Sequence, residues 1–198
     1  MNLTPIVLQN RYVRLEPLDD IHREGLRRAF GGHPETWDLM SLPGAGEHFE
    51  GWWEDAVTDP TRIAWAVVRQ ADSEVVGTTS YLGIRPVHGV VEIGWTVYQP
   101  DARGGPVNPS AKLLLMNHAF GAGAKRVELM IDERNRRSQA AVAKLGAVRE
   151  GVLRKHKTTW TGHVRNTVAF SITDEEWPAV KAGLEKRLAN LGLSAGSK

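Results

Sequence analysis

Cysteine is absent from the 198 residues, and that absence removes disulfides, thiolate metal sites and a thiol nucleophile together. No apolar run approaches the length needed to cross a bilayer. The opening stretch, Met1 to Asn10, lacks the basic start and apolar block of a secretory signal, so a cytoplasmic location is expected. Charge of one sign is not in excess: 25 Lys and Arg stand against 23 Asp and Glu, a formal net charge of +2. A dedicated nucleic-acid binder carries a clustered basic surplus, so no nucleic-acid partner is expected. No two of the seven histidines show metal-ligand spacing with a carboxylate, and no metal is expected. GxSxG is missing, which argues against an α/β-hydrolase.

The residues present fit one core. The hydrophobic fraction is 41% and the charged fraction 24%, close to soluble averages, and the length suits one globular unit, with residues 1–10 as a tail. Tyr12 to Pro17 alternates as a half-buried strand, and Asp19 or Asp20 caps a helix over Ile21 to Phe30. Phe49 to Val57 is a second short helix. Ile63 to Arg69 and Val75 to Leu82 read as a hairpin, followed by a strand from Val90 to Tyr98. Asn108 and Pro109 then look like the cap and first residue of a helix. Next come a strand at Val127 to Ile131, a helix at Arg136 to Leu145 closed by Gly146, and strands at Val148 to Lys157 and Val164 to Ile172. Asp174 is expected to cap a last helix to about Leu191, and Ser194 to Lys198 reads as disordered. This order predicts an α+β fold, a mixed and largely antiparallel twisted sheet flanked by helices.

Between Gly94 and Phe120 a strand runs into a Gly-rich loop that opens onto a helix N-terminus, a place where backbone amides and the helix dipole favour an anion. The loop has neither GxGxxG nor GxxxxGK followed by Ser or Thr. A diphosphate fits there, as does a purely structural turn.

The block EIGWTVYQPD, the block DERNRRSQAAVAKLGA and the later EGVLR together resemble the GNAT acetyltransferase superfamily. Within it they resemble the branch that includes the ribosomal-protein N-terminal acetyltransferases. The likeness runs from Arg11 to Ile172 and is sharpest in the spacing of Asn135, Ser138 and Lys144-Leu145-Gly146. It implies an acyltransferase using acetyl-coenzyme A or another acyl-coenzyme A, with a pantetheine slot between the strands ending near Tyr98 and Ile131. It places Val97, Tyr98, Arg103, Gly104, Gly105, Val107 and Asn108 around the cofactor. Asn135 takes the position of the residue that bonds the pantetheine arm, and Ser138 that of a neighbouring polar contact.

Two departures from the family pattern stand out. Pro106 cannot donate an amide where the QxxGxG or RxxGxG loop has a Gly. Arg103 and the Asn108 side chain are candidate replacements for the lost contact, worth about 1.5–3 kcal/mol if charge-assisted. Val142 stands seven residues after Asn135, where many members carry a Tyr general acid, which leaves Ser138, Tyr98 or a bound water to protonate the thiolate.

With no thiol nucleophile, the acceptor amine attacks directly and must first lose a proton. Alternation puts Val91, Ile93, Trp95 and Val97 on one face and Glu92, Gly94 and Thr96 on the other, which makes Glu92 the candidate base. A cross-strand ion pair is its structural alternative. A backbone amide near Val97 or Tyr98 would hold the oxyanion. Trp37, Trp52 and Trp53 fall where the resemblance puts an acceptor wall, against core packing as the alternative. His118 reads as packing, and His156 and His163 as border residues of the last hairpin. The expected acceptor is a small amine or a protein N-terminus, no membrane partner is expected, and a homodimer is compatible with the sequence. An acyl-coenzyme-A or small-ligand sensor with weak or no catalysis is the alternative function.

Overall fold

Strand-forming runs rich in Val, Ile and aromatics alternate along the chain with helical segments, and their burial pattern settles which faces meet. The computed structural model describes residues 1–195, with side chains through Leu191. Eight strands form one mixed sheet: β1 (Leu8–Gln9), β2 (Val13–Pro17), β3 (Ile63–Arg69), β4 (Glu74–Arg85), β5 (Val90–Tyr98), β6 (Arg126–Asp132), β7 (Val148–Thr158) and β8 (Val164–Thr173). Their order is β1-β2-β3-β4-β5-β6-β8-β7. Every neighbouring pair is antiparallel except β5 and β6. A parallel pair needs a crossover, and α3 (Val107–Gly121) supplies it.

The remaining helices are α1 (Arg23–Gly31), α2 (Phe49–Thr58), α4 (Arg136–Ala143) and α5 (Trp177–Ala195). One face of the sheet buries Val91, Ile93, Val127, Leu129, Phe170 and Ile172 against Leu115 and Met116 of α3 and Leu184 of α5. The other face carries an aromatic layer of Phe30, Trp37, Phe49, Trp52 and Trp53 from the α1–α2 region, packed on Val97 and Trp95 of β5.

That last contact corrects the expected alternation. Trp95 and Val97 do not share the face of Val91 and Ile93, because β5 carries a bulge: Ser80 of β4 pairs with Gly94, but Thr78 pairs with Val97. Trp95 sits there at φ 47°. One extra residue resets the two-residue period, so the later side chains of the strand point the opposite way. Gly77 makes room for the close approach that results, since a Cβ there would lie 2.1 Å from the Val97 carbonyl oxygen.

Three further expectations change. Asn108 does not cap α3, whose helical turns begin at Val107 after Pro106 with no side-chain cap. Asp174 does not cap α5. It binds Lys125 Nζ at 2.7 Å, and the entry to the helix is fixed by Thr173 and Glu176, each side chain accepting from the other's backbone amide at 2.8 and 3.4 Å. The expected tail at residues 1–10 includes β1, and the Ile6 carbonyl accepts from Trp65 Nε1 at 2.9 Å. Ser194 and Ala195 belong to α5, while 196–198 lie outside the described residues. Asp19 does cap as expected, in a reciprocal box with the His22 ring.

Candidate active site

Beyond the pair Glu92 and Glu128 the β5–β6 ladder stops. Below that point each strand goes on with its other neighbour, β5 with β4 as far as Tyr98 and β6 with β8 as far as Asp132. A wedge-shaped gap therefore opens between Ile93–Tyr98 and 129–132, with strand edges that lack a partner strand on the gap side. Unpaired backbone groups of this kind accept an extended ligand.

Glu92 stands at the point where the gap begins, on the face opposite the Val91 and Ile93 side chains. Its carboxylate accepts no hydrogen bond among the described residues. Burial raises its pKa, with Glu128 pushing the same way, while Lys157, Arg165 and Lys112 pull it down. The cross-strand ion pair is not formed: Arg85 and Arg126 instead bind Glu128. Glu92 Oε1 lies 3.0 Å from where a Cβ on Gly94 would sit, so the small neighbour does leave the carboxylate its room.

Lys112 is a site residue that the sequence does not announce, because a lysine in a helical pattern reads as surface. It is 4% exposed, and Nζ donates to Thr96 Oγ1 at 2.9 Å, which also shares a hydrogen bond with Thr79 Oγ1 at 2.8 Å. Helix α3 is thus tied to the bulge. Burial pushes the Lys112 ammonium down to about 7, with Glu92 the opposing influence. Among the described residues the buried Ser110 hydroxyl of the same helix has no partner, nor has the buried phenol of Tyr98 on β5, whose pKa burial raises.

The loop after β5 has the donor set an anion needs. The amides of Gly104, Gly105, Val107 and Asn108 reach no backbone acceptor among the described residues, and Ser110 is the first of the helix to do so, on Pro106 at 3.0 Å. Gly104 holds φ at 78°, a conformation costly for other residues. Arg103 is partly spent, its Nε on the Tyr98 carbonyl at 2.7 Å and Nη2 on Thr36 Oγ1 at 3.2 Å. Arg137 stands near enough to depress the Arg103 pKa after the effect of burial, so two cations flank the loop. The Asn108 side chain makes no hydrogen bond among the described residues and is free to turn to a ligand.

Asn135 Oδ1 accepts from the Ser138 amide at 3.0 Å and so caps α4, while its side-chain NH2 has no partner among the described residues. Val142 is 5% exposed in the core, and its side chain has no proton to give. Asn135→Ala should lose about 1 kcal/mol of stability with the cap and weaken coenzyme A binding. Asn135→Asp, which keeps the accepting oxygen, should hold stability and weaken binding. Thermal melts alongside titration calorimetry check both.

On the acceptor side, Trp37, Trp52 and Trp53 are at most 4% exposed. Together with Phe30 and Phe49 they form edge-on, tilted and stacked ring pairs at centroid distances of 4.6–6.3 Å. They are core residues and not the expected acceptor wall, because their rings are spent on packing against one another and on β5. The aromatic at the surface is Trp160 of the β7–β8 turn, which crosses over to donate Nε1 to the Trp37 carbonyl at 2.9 Å and to lie 5.3 Å from the His48 ring. His118 stacks on Tyr81 as a packing residue. His156 and His163 are exposed on the hairpin.

A mixed sheet that parts at a parallel pair, with a donor-rich loop leading into a helix beside the gap, suits an extended ligand with an anionic end. The sequence model of the acetyltransferase (GNAT) domain matches residues 13–148, and this chain belongs to that family. Similar solved structures include a presumptive acetyltransferase from T. thermophilus, 39% identical over 95% of this chain and 100% of that one, with a TM-score of 0.87. A GCN5-related N-acetyltransferase from Brucella melitensis is 32% identical over 94% and 86%, again with a TM-score of 0.87. Mycobacterium smegmatis RimJ, solved with CoA-disulfide, shares the fold at 18% identity over 92% and 95%, with a TM-score of 0.77. No curated protein matches the sequence. The chain is an N-acetyltransferase that uses acetyl-coenzyme A and moves its acyl group to an amine. The free loop amides, the flanking arginines and the unpaired gap edges fit that cofactor.

Proposed function

We propose that acceptor amines are acetylated at the mouth of the β5–β6 gap, with Glu92 taking the ammonium proton. The observation that carries this is the placement, at the top of the gap, of a carboxylate that accepts no hydrogen bond among the described residues. The thioester of acetyl-coenzyme A supplies the activated acyl group. Gly104, Gly105, Val107 and Asn108 would hold the diphosphate through their amides, Arg137 would add charge, and Asn135 would bond the pantetheine arm with its NH2. Lys112 fixes Thr96 and with it the bulge, which keeps the gap-side amides of β5 in place.

For the proton returned to the departing sulfur, Tyr98 is the better supported of the two side-chain candidates. Its phenol is buried, protonated at working pH and unpartnered, whereas Ser138 sits on the first turn of α4. A primary amine, either small or at a protein N-terminus, is the acceptor class. Thiol release from acetyl-coenzyme A across an amine panel tests the assignment: acceptor-dependent thiol is expected from wild type. Binding of the cofactor without acceptor-dependent thiol would instead support a sensor.

A further inference from the structure

Arg165 is a buried cation that no carboxylate neutralises among the described residues. It is 7% exposed; Nε donates to Thr167 Oγ1 at 2.9 Å and Nη2 to the Met130 carbonyl at 3.1 Å. Nη1 has no acceptor among the described residues. The comparably buried Arg62 does have an ion pair, with Asp55 at 3.1 Å.

The acids nearest Arg165 are Asp132 and Glu92. Asp132 is already taken by Arg134, which reaches its two oxygens at 3.1 and 2.8 Å, and Glu92 makes no ion pair with Arg165. A buried guanidinium left without a counter-ion is expensive, and an arriving anion would relieve that cost.

Position decides where such an anion would lie. On β8, Val168, Phe170 and Ile172 face the α3 core, so Arg165 and Thr167 face the other way, onto the side of the sheet that carries Glu92. Lys157 of β7 stands opposite Arg165 in register and is exposed. The aromatic layer of α1 and α2 stops at β5, with no β6, β7 or β8 residue in it. One side of the sheet therefore carries a carboxylate on β5 and an uncompensated guanidinium on β8.

We propose that Arg165, assisted by Lys157, binds a carboxylate carried by the acceptor, so that the preferred substrate is an anionic amine whose ammonium faces Glu92. This rests on the acceptor assignment made above for Glu92. The carboxylate comes either from the α-carboxyl of a free amino acid or from an acidic side chain next to a peptide N-terminus. A neutral amine leaves Arg165 unpaired, and a site with an unsatisfied buried charge discriminates against such a ligand.

The test measures kcat/KM by thiol release for matched acceptors: free amino acids against their primary amides, and N-terminal peptides with Asp against Asn at the second position. Wild type should favour the carboxylate member of one pair by about tenfold or more, and the pair that responds names the source. Arg165→Met should collapse that ratio to about one, chiefly through KM, and Lys157→Ala should reduce it several-fold. Arg165→Lys, which keeps the charge, should retain part of it and guards against a folding defect in the Met variant. Measurable turnover with equal rates for both members of each pair would overturn the proposal and leave amine acetylation standing. No acceptor-dependent thiol from any amine, with coenzyme A still bound by calorimetry, would overturn the Glu92 assignment and this proposal together.

Discussion

Glu92→Gln is expected to lower kcat/KM at neutral pH by about 10²–10³-fold, the scale of a lost general base, with the deficit shrinking at high pH as the free amine becomes abundant. The acid limb of the wild-type profile should lie above the ordinary carboxylate range, because burial and Glu128 raise the Glu92 pKa more than Lys157, Arg165 and Lys112 depress it. Activity is lost as pH falls through that raised value. The same shift has an opposite signature in stability. A carboxyl whose folded pKa is raised binds its proton more tightly in the folded state than in the unfolded one, so stability falls as pH rises through the folded value. Glu92→Gln should therefore melt higher than wild type at neutral pH while turning over far more slowly. Loss of both activity and stability would point to a structural role.

Lys112→Met carries the second large effect, this time on folding. Unfolded, the ammonium titrates near ~10.4; folded, burial holds it at about 7. Between those values the unfolded chain keeps a proton that the folded one releases, so wild-type stability falls as pH drops from about 10 towards 7, by on the order of 4 kcal/mol in all. The variant should lack this slope and gain most over wild type at and below neutral pH. The gain is offset in part by the lost hydrogen bond to Thr96 and the lost attraction for Glu92. Denaturant titrations at pH 6.5, 8 and 9.5 measure it. Removing the cation should also move the acid limb of any remaining activity upward, since Lys112 helps keep Glu92 ionised.

Much of this architecture can be read from residues alone, and the failures share a cause. Val90–Tyr98 forms a strand with the bounds its β-branched and aromatic run predicts, and the Gly-rich loop after it does open onto a helix. Glu92 lies on the face opposite Val91 and Ile93, as alternation up to the bulge gives it. The bulge at Trp95 is invisible in the pattern, because one inserted residue changes no propensity while reversing the direction of every side chain after it. Lys112 and Arg165 are missed because charged residues read as solvated, and only the packed sheet shows that both are enclosed. Trp160 reaches Trp37 across 123 positions of sequence, a contact that no local pattern encodes. Pro106 is legible as a missing donor, but that the helix starts at Val107, two residues before the expected Pro109, depends on the loop geometry.

The proposed cofactor site is the segment between Tyr98 and Ser110 together with the parted strands beside it. Backbone amide exchange, followed by NMR with and without saturating coenzyme A, examines that region residue by residue. Slowed exchange should concentrate at Gly104, Gly105, Val107 and Asn108 and along Ile93–Tyr98 and 129–132, leaving α5 unchanged. Unaltered exchange at these amides, or protection centred elsewhere on the molecule, would contradict it.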